Sequence, residues 1–239
     1  PMRSSAASDV YKRQLLDAFD NYHMGVTAEN IAKLYEITRD EQDIFALNSQ
    51  KKAEAAAKNK KFDEEIVGIN ENQICFLKDE HPRFNLELSD LSKLKPVFKD
   101  NGTVTPGNSS GINDGAAALM LTSKEEAEIK SIKPLAKVVS WASVGVKPSL
   151  MGLGPIDAVN LAVKRANWKL DDVDLFEINE AFAAQSIAVI RELKINDSKV
   201  NVNGGAIALG HPIGASGARI LVTLLHEMKK QNLKKGCAT

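Results

Sequence analysis

Cysteine is scarce in this chain, which has only two among 239 residues, Cys75 and Cys237. Neither belongs to a Cys-x-x-Cys pair, so the spacing gives no indication of a zinc site. Two cysteines also make a poor disulfide framework, which favours a reducing, cytoplasmic compartment. We therefore expect neither a structural metal nor a disulfide to stabilise this fold.

The chain also lacks an excess of either charge, since 31 Lys and Arg residues balance 31 Asp and Glu residues. A nucleic-acid partner would favour a strongly basic domain, so we expect none. No apolar run approaches the length of about 18 residues that indicates a membrane-spanning helix, so we expect no membrane partner. Hydrophobic residues make up 44% of the chain, which is enough for an ordinary packed core.

The first fourteen residues are polar and lack the apolar core of a signal peptide. They also lack the periodicity of a helix or a strand. We interpret residues 1–14 as a disordered or unrelated extension.

Helix start signals are clear at three places further along the chain. A capping box that begins at Thr38 opens a long predicted helix reaching towards residue 60. A second box at Ser123 predicts a short helix to about residue 130. A third helix is predicted to begin at Gly154 and Pro155, since proline is well tolerated at the first helical position.

Strand signals lie between these helices. Residues 116–121 form a short apolar run, residues 136–142 are rich in strand-forming side chains, and residues 174–178 precede a polar segment. From about residue 134 onward, predicted strands and helices alternate, which indicates an α/β layered domain. Residues 70–107 are charged and rich in loop signals, and we interpret them as a surface excursion that could carry ligand contacts.

The most informative segment is residues 203–217, which places His211 among five glycines and leads into an amphipathic helix. Glycines let the backbone turn sharply and approach a ligand, and histidine titrates near neutral pH. A histidine held on such a turn is suited to acid/base or oxyanion chemistry. The alternative is a glycine-rich turn with an incidental histidine.

Three further segments could carry chemistry. In residues 179–185, Asn179 could hold a water or a carbonyl and Glu180 could act as a base or as an orienting group. Ordinary N-capping by Asn179 is the alternative for this segment. Residues 103–115 form a polar, glycine-punctuated loop that could bind a cofactor or could be a plain surface turn. Residues 21–25, with His23 and Met24, could cover a substrate or form a partly buried turn.

Taken together, these four segments resemble the thiolase family, in the same order along the chain, and in particular its biosynthetic acetyl-CoA C-acetyltransferase branch. The resemblance covers residues 15–239. It implies an α/β thiolase fold, layered α-β-α-β-α from two similar halves and here incomplete. Residues 15–122 would then be the end of the N-terminal half with a covering loop region, and residues 123–239 a truncated C-terminal half.

The resemblance also implies roles for individual residues. His211 is similar to the histidine that activates a nucleophilic cysteine and helps form an oxyanion hole, and Asn179 to the residue that holds a water there. Ser110 is similar to a coenzyme A contact. The remaining positions that match the lining of the coenzyme A or acyl pocket are His23, Met24, Arg83, Leu94, Phe98, Ala181 and Phe182.

The substrates implied by this resemblance are acetyl-CoA, acetoacetyl-CoA and CoA, with no tightly bound cofactor and no metal. The complete family member would condense two acetyl-CoA molecules or run the reverse thiolysis, as a dimer or tetramer. A 3-ketoacyl-CoA thiolase of broader chain length and a non-catalytic CoA-binding protein remain alternatives.

Departures from the family pattern concern the cysteines. The acyl-accepting cysteine of the family precedes the segment that matches Leu15, and the second catalytic cysteine lies in a Cys-x-Gly-Gly motif that this chain does not contain. We interpret Cys237 as a strand residue and Cys75 as a loop residue, neither of them a nucleophile. We therefore expect a chain that is truncated at both ends and inactive in thiolysis.

Overall fold

The structure is a computed structural model that describes residues 15–71 and 74–239. The predicted extension 1–14 lies outside the described residues. The helices in chain order are α1 (Met24–Leu34), α2 (Arg39–Lys58), α3 (Leu88–Ser92), α4 (Lys124–Ile129), α5 (Gly154–Arg165), α6 (Ala183–Leu193), α7 (Ala206–Leu209) and α8 (Ile213–Gln231). The strands are β1 (Ile69–Glu71), β2 (Ile74–Phe76), β3 (Leu175–Glu177) and β4 (Gly236–Ala238).

The helix starts predicted from local signals are confirmed. At the start of α2, the Thr38 hydroxyl accepts a hydrogen bond from the Glu41 amide at 3.2 Å, and the Thr38 amide donates to the Glu41 carboxylate at 2.7 Å. Ser123 caps α4 in the same way through its hydroxyl. Gly154 and Pro155 begin α5. Each start depends on residues within one turn of each other, so the sequence alone encodes it.

The core is centred on α6 and β3. Helix α6 is buried on almost every side and packs against α1, α2 and α5. Strand β3 pairs in parallel with β4, and a parallel bridge joins Phe176 to Val200 on its other side. These pairings confirm the strand predicted at residues 174–178 and the interpretation of Cys237 as a strand residue.

Two strand predictions are wrong. Residues 116–121 and 136–142 form no strand, and Met120 and Trp141 are 88% and 72% exposed. Among the residues that the structure describes, none forms a ladder with either run. A strand requires a hydrogen-bonded neighbour, and apolar, β-branched composition cannot supply one.

The region 70–107 is mostly irregular, as expected, but it is not entirely loop. It contains most of the antiparallel hairpin of β1 and β2, and the short helix α3. Within the described ranges, no helix combines the length and the apolar character that crossing a membrane would require.

Candidate functional site

A cavity of about 990 Å³ opens where the chain leaves β3. Residues of all four segments singled out in the sequence line it. They include His23, Met24, Ser110, Asn179, Ala181, Phe182 and His211, and Phe98 from the region 70–107 lines the cavity with them. Ligands of open α/β sheets bind beyond the carboxyl ends of strands, and this cavity has that position relative to β3.

The polar loop 103–115 is joined directly to the segment that follows β3. The amide and the hydroxyl of Ser110 both donate to the carbonyl of Ala181, at 3.0 and 3.1 Å. An antiparallel bridge joins Ser109 to Phe182. The Asn108 carbonyl accepts from the Ala183 amide at 2.9 Å, at the start of α6. The loop is therefore a fixed wall of the cavity and not a plain surface turn.

His211 is fixed by its backbone. Gly210, just before it, has φ of +97°, a conformation that favours glycine. The His211 amide donates to Oδ1 of Asn113 at 3.2 Å, and a Cβ at position 210 would lie 2.6 Å from that same oxygen. Glycine at position 210 is thus required both by the backbone angle and by the close approach of Asn113.

The imidazole of His211 faces the side chain of Asn179. Nε2 of His211 lies 3.4 Å from Nδ2 of Asn179, and both residues line the cavity. Among the described residues, Oδ1 of Asn179 is a buried oxygen without a hydrogen-bond partner. A buried polar atom of this kind is suited to receive a water or a ligand group. The N-cap residue of α6 is Phe182, so the alternative that Asn179 serves to cap this helix is wrong.

Ser216 determines which ring nitrogen of His211 carries the proton. The Ser216 hydroxyl donates to the Pro212 carbonyl at 3.0 Å and lies 2.5 Å from Nδ1 of His211. A hydroxyl has one hydrogen; with that hydrogen on Pro212, Ser216 can only accept from Nδ1 of His211, and Nδ2 of Asn179 can only donate to Nε2. This hydrogen-bond network therefore assigns the proton to Nδ1 and leaves a lone pair on Nε2, which accepts from Asn179.

The surroundings keep this ring neutral. Burial lowers the pKa of His211, and the positive charge of Arg219 lowers it further. A neutral imidazole can accept a proton at Nε2 from a group bound in the cavity, once that group replaces the amide of Asn179 at this nitrogen.

Another part of the cavity lining is a wall of aromatic rings. The ring of His23 stacks on that of Phe98 with centroids 4.5 Å apart, and Phe98 meets Phe182 edge to face at 6.1 Å. Nδ1 of His23 accepts from the Gly25 amide at 3.0 Å and so caps the start of α1. A Cβ at Gly25 would overlap the Phe98 ring. This wall offers apolar surface for the non-polar part of a ligand.

The structure leaves two predicted pocket residues outside the cavity lining. Arg83 is exposed, and its amide donates to Gln50 at 2.9 Å. Leu94 packs against the core that includes Ala46 and Leu91. The contacts with coenzyme A or the acyl group that were expected of Arg83 and Leu94 remain predictions. Sequence reasoning missed the roles of Asn113 and Ser216, although both lie inside segments that it singled out.

Neither cysteine belongs to the cavity lining. Cys75 is exposed in β2. Cys237 in β4 packs against the core around β3, and burial raises its pKa to about 11. A thiol with so high a pKa is almost entirely protonated at neutral pH, so it is a poor nucleophile. In residues 15–71 and 74–239, no cluster of His, Cys, Asp and Glu could hold a metal ion.

Comparison with known proteins gives two family matches and many relatives. The thiolase N-terminal domain matches residues 1–125, and the thiolase C-terminal domain matches residues 132–239. Acetyl-CoA acetyltransferase of Shinella zoogloeoides is 56% identical over 232 residues, covering 95% of this chain and 59% of that protein. The cytosolic acetyl-CoA acetyltransferase of Mus musculus is 55% identical over 234 residues, covering 94% and 58%.

Solved structures are similar over the same extent. The crystal structure of Bacillus anthracis acetyl-CoA acetyltransferase has a TM-score of 0.93 and 48% identity, covering 96% of this chain and 59% of that one. Human mitochondrial 3-ketoacyl-CoA thiolase in complex with CoA has a TM-score of 0.91 and 42% identity, with the same coverage. The chain therefore spans somewhat less than three fifths of the length of these relatives.

Proposed function

The chain belongs to the thiolase family, and from that premise we propose that its cavity binds coenzyme A thioesters and serves acyl transfer. Both the resemblance and the α/β thiolase fold expected from it are confirmed by the family matches and the similar solved structures. Because the chain spans about 59% of its relatives, the activity and substrates of a whole thiolase are proposals for it.

The pairing of His211 with Asn179 carries this proposal. Acyl transfer through cysteine needs a base that takes the thiol proton, and the thiolate then attacks the thioester carbonyl. The Nε2 lone pair of His211, which faces the Asn179 amide at 3.4 Å, would take that proton. Once protonated, Nε2–H can donate to the oxygen on which negative charge develops, and the Asn179 side chain lies 3.4 Å away to hold a water or share that task.

We propose that the substrates are acetyl-CoA, acetoacetyl-CoA and CoA. The apolar wall of His23, Phe98 and Phe182 would contact the acyl or pantetheine chain, and Ser110 would contact the coenzyme near the same wall. The relative in Mus musculus is named cytosolic, which supports a cytoplasmic location for this protein. Assembly as a homo-oligomer and the absence of a tightly bound cofactor stay proposals.

A second candidate, binding without turnover, is favoured for this chain by the positions of its cysteines. Cys75 is exposed and Cys237 is packed in the core, and neither lines the cavity, so neither is placed to give its thiol proton to His211. We propose that the 239-residue chain binds CoA thioesters and by itself forms no acyl-cysteine.

Two measurements test these proposals. Isothermal titration calorimetry with CoA and acetyl-CoA should detect binding to the folded chain, and Phe98→Ala should weaken it by removing the centre of the aromatic wall. A folded chain that releases no heat with either ligand would contradict the binding proposal. Thiolysis of acetoacetyl-CoA should not exceed that of a His211→Ala variant, and turnover above this control would identify a nucleophile within the chain.

A further inference from the structure

Glu180 follows Asn179 in the chain, but its side chain turns away from the cavity. It is 2% exposed and does not belong to the cavity lining. A general base must reach the substrate, so this position excludes the role of a base that the sequence left open for Glu180.

The Glu180 carboxylate accepts three hydrogen bonds from three parts of the fold. One oxygen accepts from the Ser49 hydroxyl of α2 at 2.6 Å and from the Ile207 amide of α7 at 3.2 Å. The other accepts from Nδ2 of Asn201 at 2.8 Å. Ser49 also accepts from the Gly205 amide at 3.0 Å.

These contacts join the two segments that carry the site. Asn179 is the neighbour of Glu180, and the α7 turn that Glu180 holds leads within four residues to His211. The backbone of Gly205 approaches so closely that a Cβ there would overlap the Glu180 carboxylate. No side chain can therefore stand between the carboxylate and this turn.

We propose that Glu180 is a positioning residue that sets the separation of Asn179 and His211 by clamping the α7 turn to the end of β3. The catalytic role of that pair rests on the proposed function, but the contacts of Glu180 lie within the protein and do not involve a substrate. Burial raises the pKa of Glu180, whereas its hydrogen bonds from Ser49, Asn201 and Ile207 oppose the rise. Three donors around one carboxyl group suit an ionised acceptor.

Glu180→Gln is the decisive variant, because glutamine matches the shape but supplies one acceptor and one donor. Whichever way the amide is placed, its NH₂ group faces either Nδ2 of Asn201 or the amide of Ile207. We expect faster hydrogen exchange at Ile207 and an upward move in the pKa of His211, because a loosened turn admits water and weakens the effect of burial. Ring ¹⁵N spectra of the 239-residue chain measure that pKa.

Glu177→Gln is the matched control. Glu177 lies three residues earlier and is also 2% exposed, but it faces Arg219 instead of the α7 turn. Burial raises its pKa to about 8, so the carboxyl is mostly protonated at pH 7 and glutamine replaces it well. We expect this control to leave the His211 pKa and the Ile207 exchange rate unchanged.

Ser49→Ala removes one of the three donors and decides the question if Glu180→Gln does not fold. It should move both readouts in the same direction by a smaller amount. If the folded variant, or Ser49→Ala in its place, lowers the melting temperature but leaves His211 and Ile207 unchanged, Glu180 is merely structural and the proposal is overturned. Since neither readout involves CoA, a failure of CoA binding is a separate result.

Discussion

Two regions of this molecule contain apolar or strand-forming runs but have different structures. Residues 174–178 contain β3, which is paired on both sides and buried, with Ile178 only 1% exposed. Residues 112–147 contain no strand, and Met120, Leu121 and Trp141 are largely exposed. The difference shows that a β-rich run becomes a strand only where another strand is available to pair with it.

The cavity lies between these two regions. One side is formed by Asn179, Phe182 and His211, which the packed body holds through backbone and side-chain hydrogen bonds. The other side includes residues 112–117, where a parallel bridge joins the backbone of Ile112 to that of His211. We therefore expect substitutions in the two regions to differ greatly in effect.

The largest effect is expected in the packed body. Ile178→Ala should lower the free energy of unfolding by about 2–5 kcal/mol, because it leaves a cavity in a core that includes Phe176 and Val189. Urea unfolding followed by circular dichroism measures this loss. Leu121→Ala is the matched control in the exposed run, and equal losses for the two variants would abolish the distinction between the regions.

The second effect concerns pH. Burial raises the pKa of Glu177 from 4.5 to about 8, so between these values the folded protein keeps a proton that the unfolded chain has lost. The contribution of Glu177 to stability is therefore full below pH 4.5 and is lost progressively as the pH rises towards 8. Glu177→Gln should make the unfolding free energy fall less steeply over this window. An unchanged slope would show that Glu177 ionises normally in the folded state.

The third effect is local to the site. Ser216→Ala removes the acceptor for Nδ1 of His211, and we expect the free energy of unfolding to fall by about 0.5–1.5 kcal/mol. The proton should then move partly to Nε2, which ring ¹⁵N shifts report directly. Ser110→Ala, whose hydroxyl bonds to Ala181 instead, should leave the tautomer unchanged. A Nδ1–H ring that persists in Ser216→Ala would mean that another group sets the tautomer.

The smallest effect is expected in the exposed run. Met120 is 88% exposed, so Met120→Lys should change the free energy of unfolding by no more than about 0.5 kcal/mol. The same urea titration measures it. A loss comparable to that of Ile178→Ala would show that this run is packed in solution.

The sequence predicted what depends on near neighbours. The capping box of Thr38 and Glu41 spans three residues, and the glycine-rich setting of His211 is continuous in the chain. Contacts between distant residues could not be predicted in this way. Asn113 meets the His211 amide across 98 positions and Ser49 meets Glu180 across 131, so no local pattern indicates either pair.

The hydrogen bond between His211 and Ser216 has a consequence for the path of protons. Ser216 is 5% exposed, and its oxygen keeps Nδ1 occupied on the side of the ring away from the cavity. Nε2 is then the ring nitrogen at which this imidazole can gain or lose a proton. A proton that enters or leaves the ring therefore does so on the cavity side, where a bound group or a water in the open cavity can give or take it.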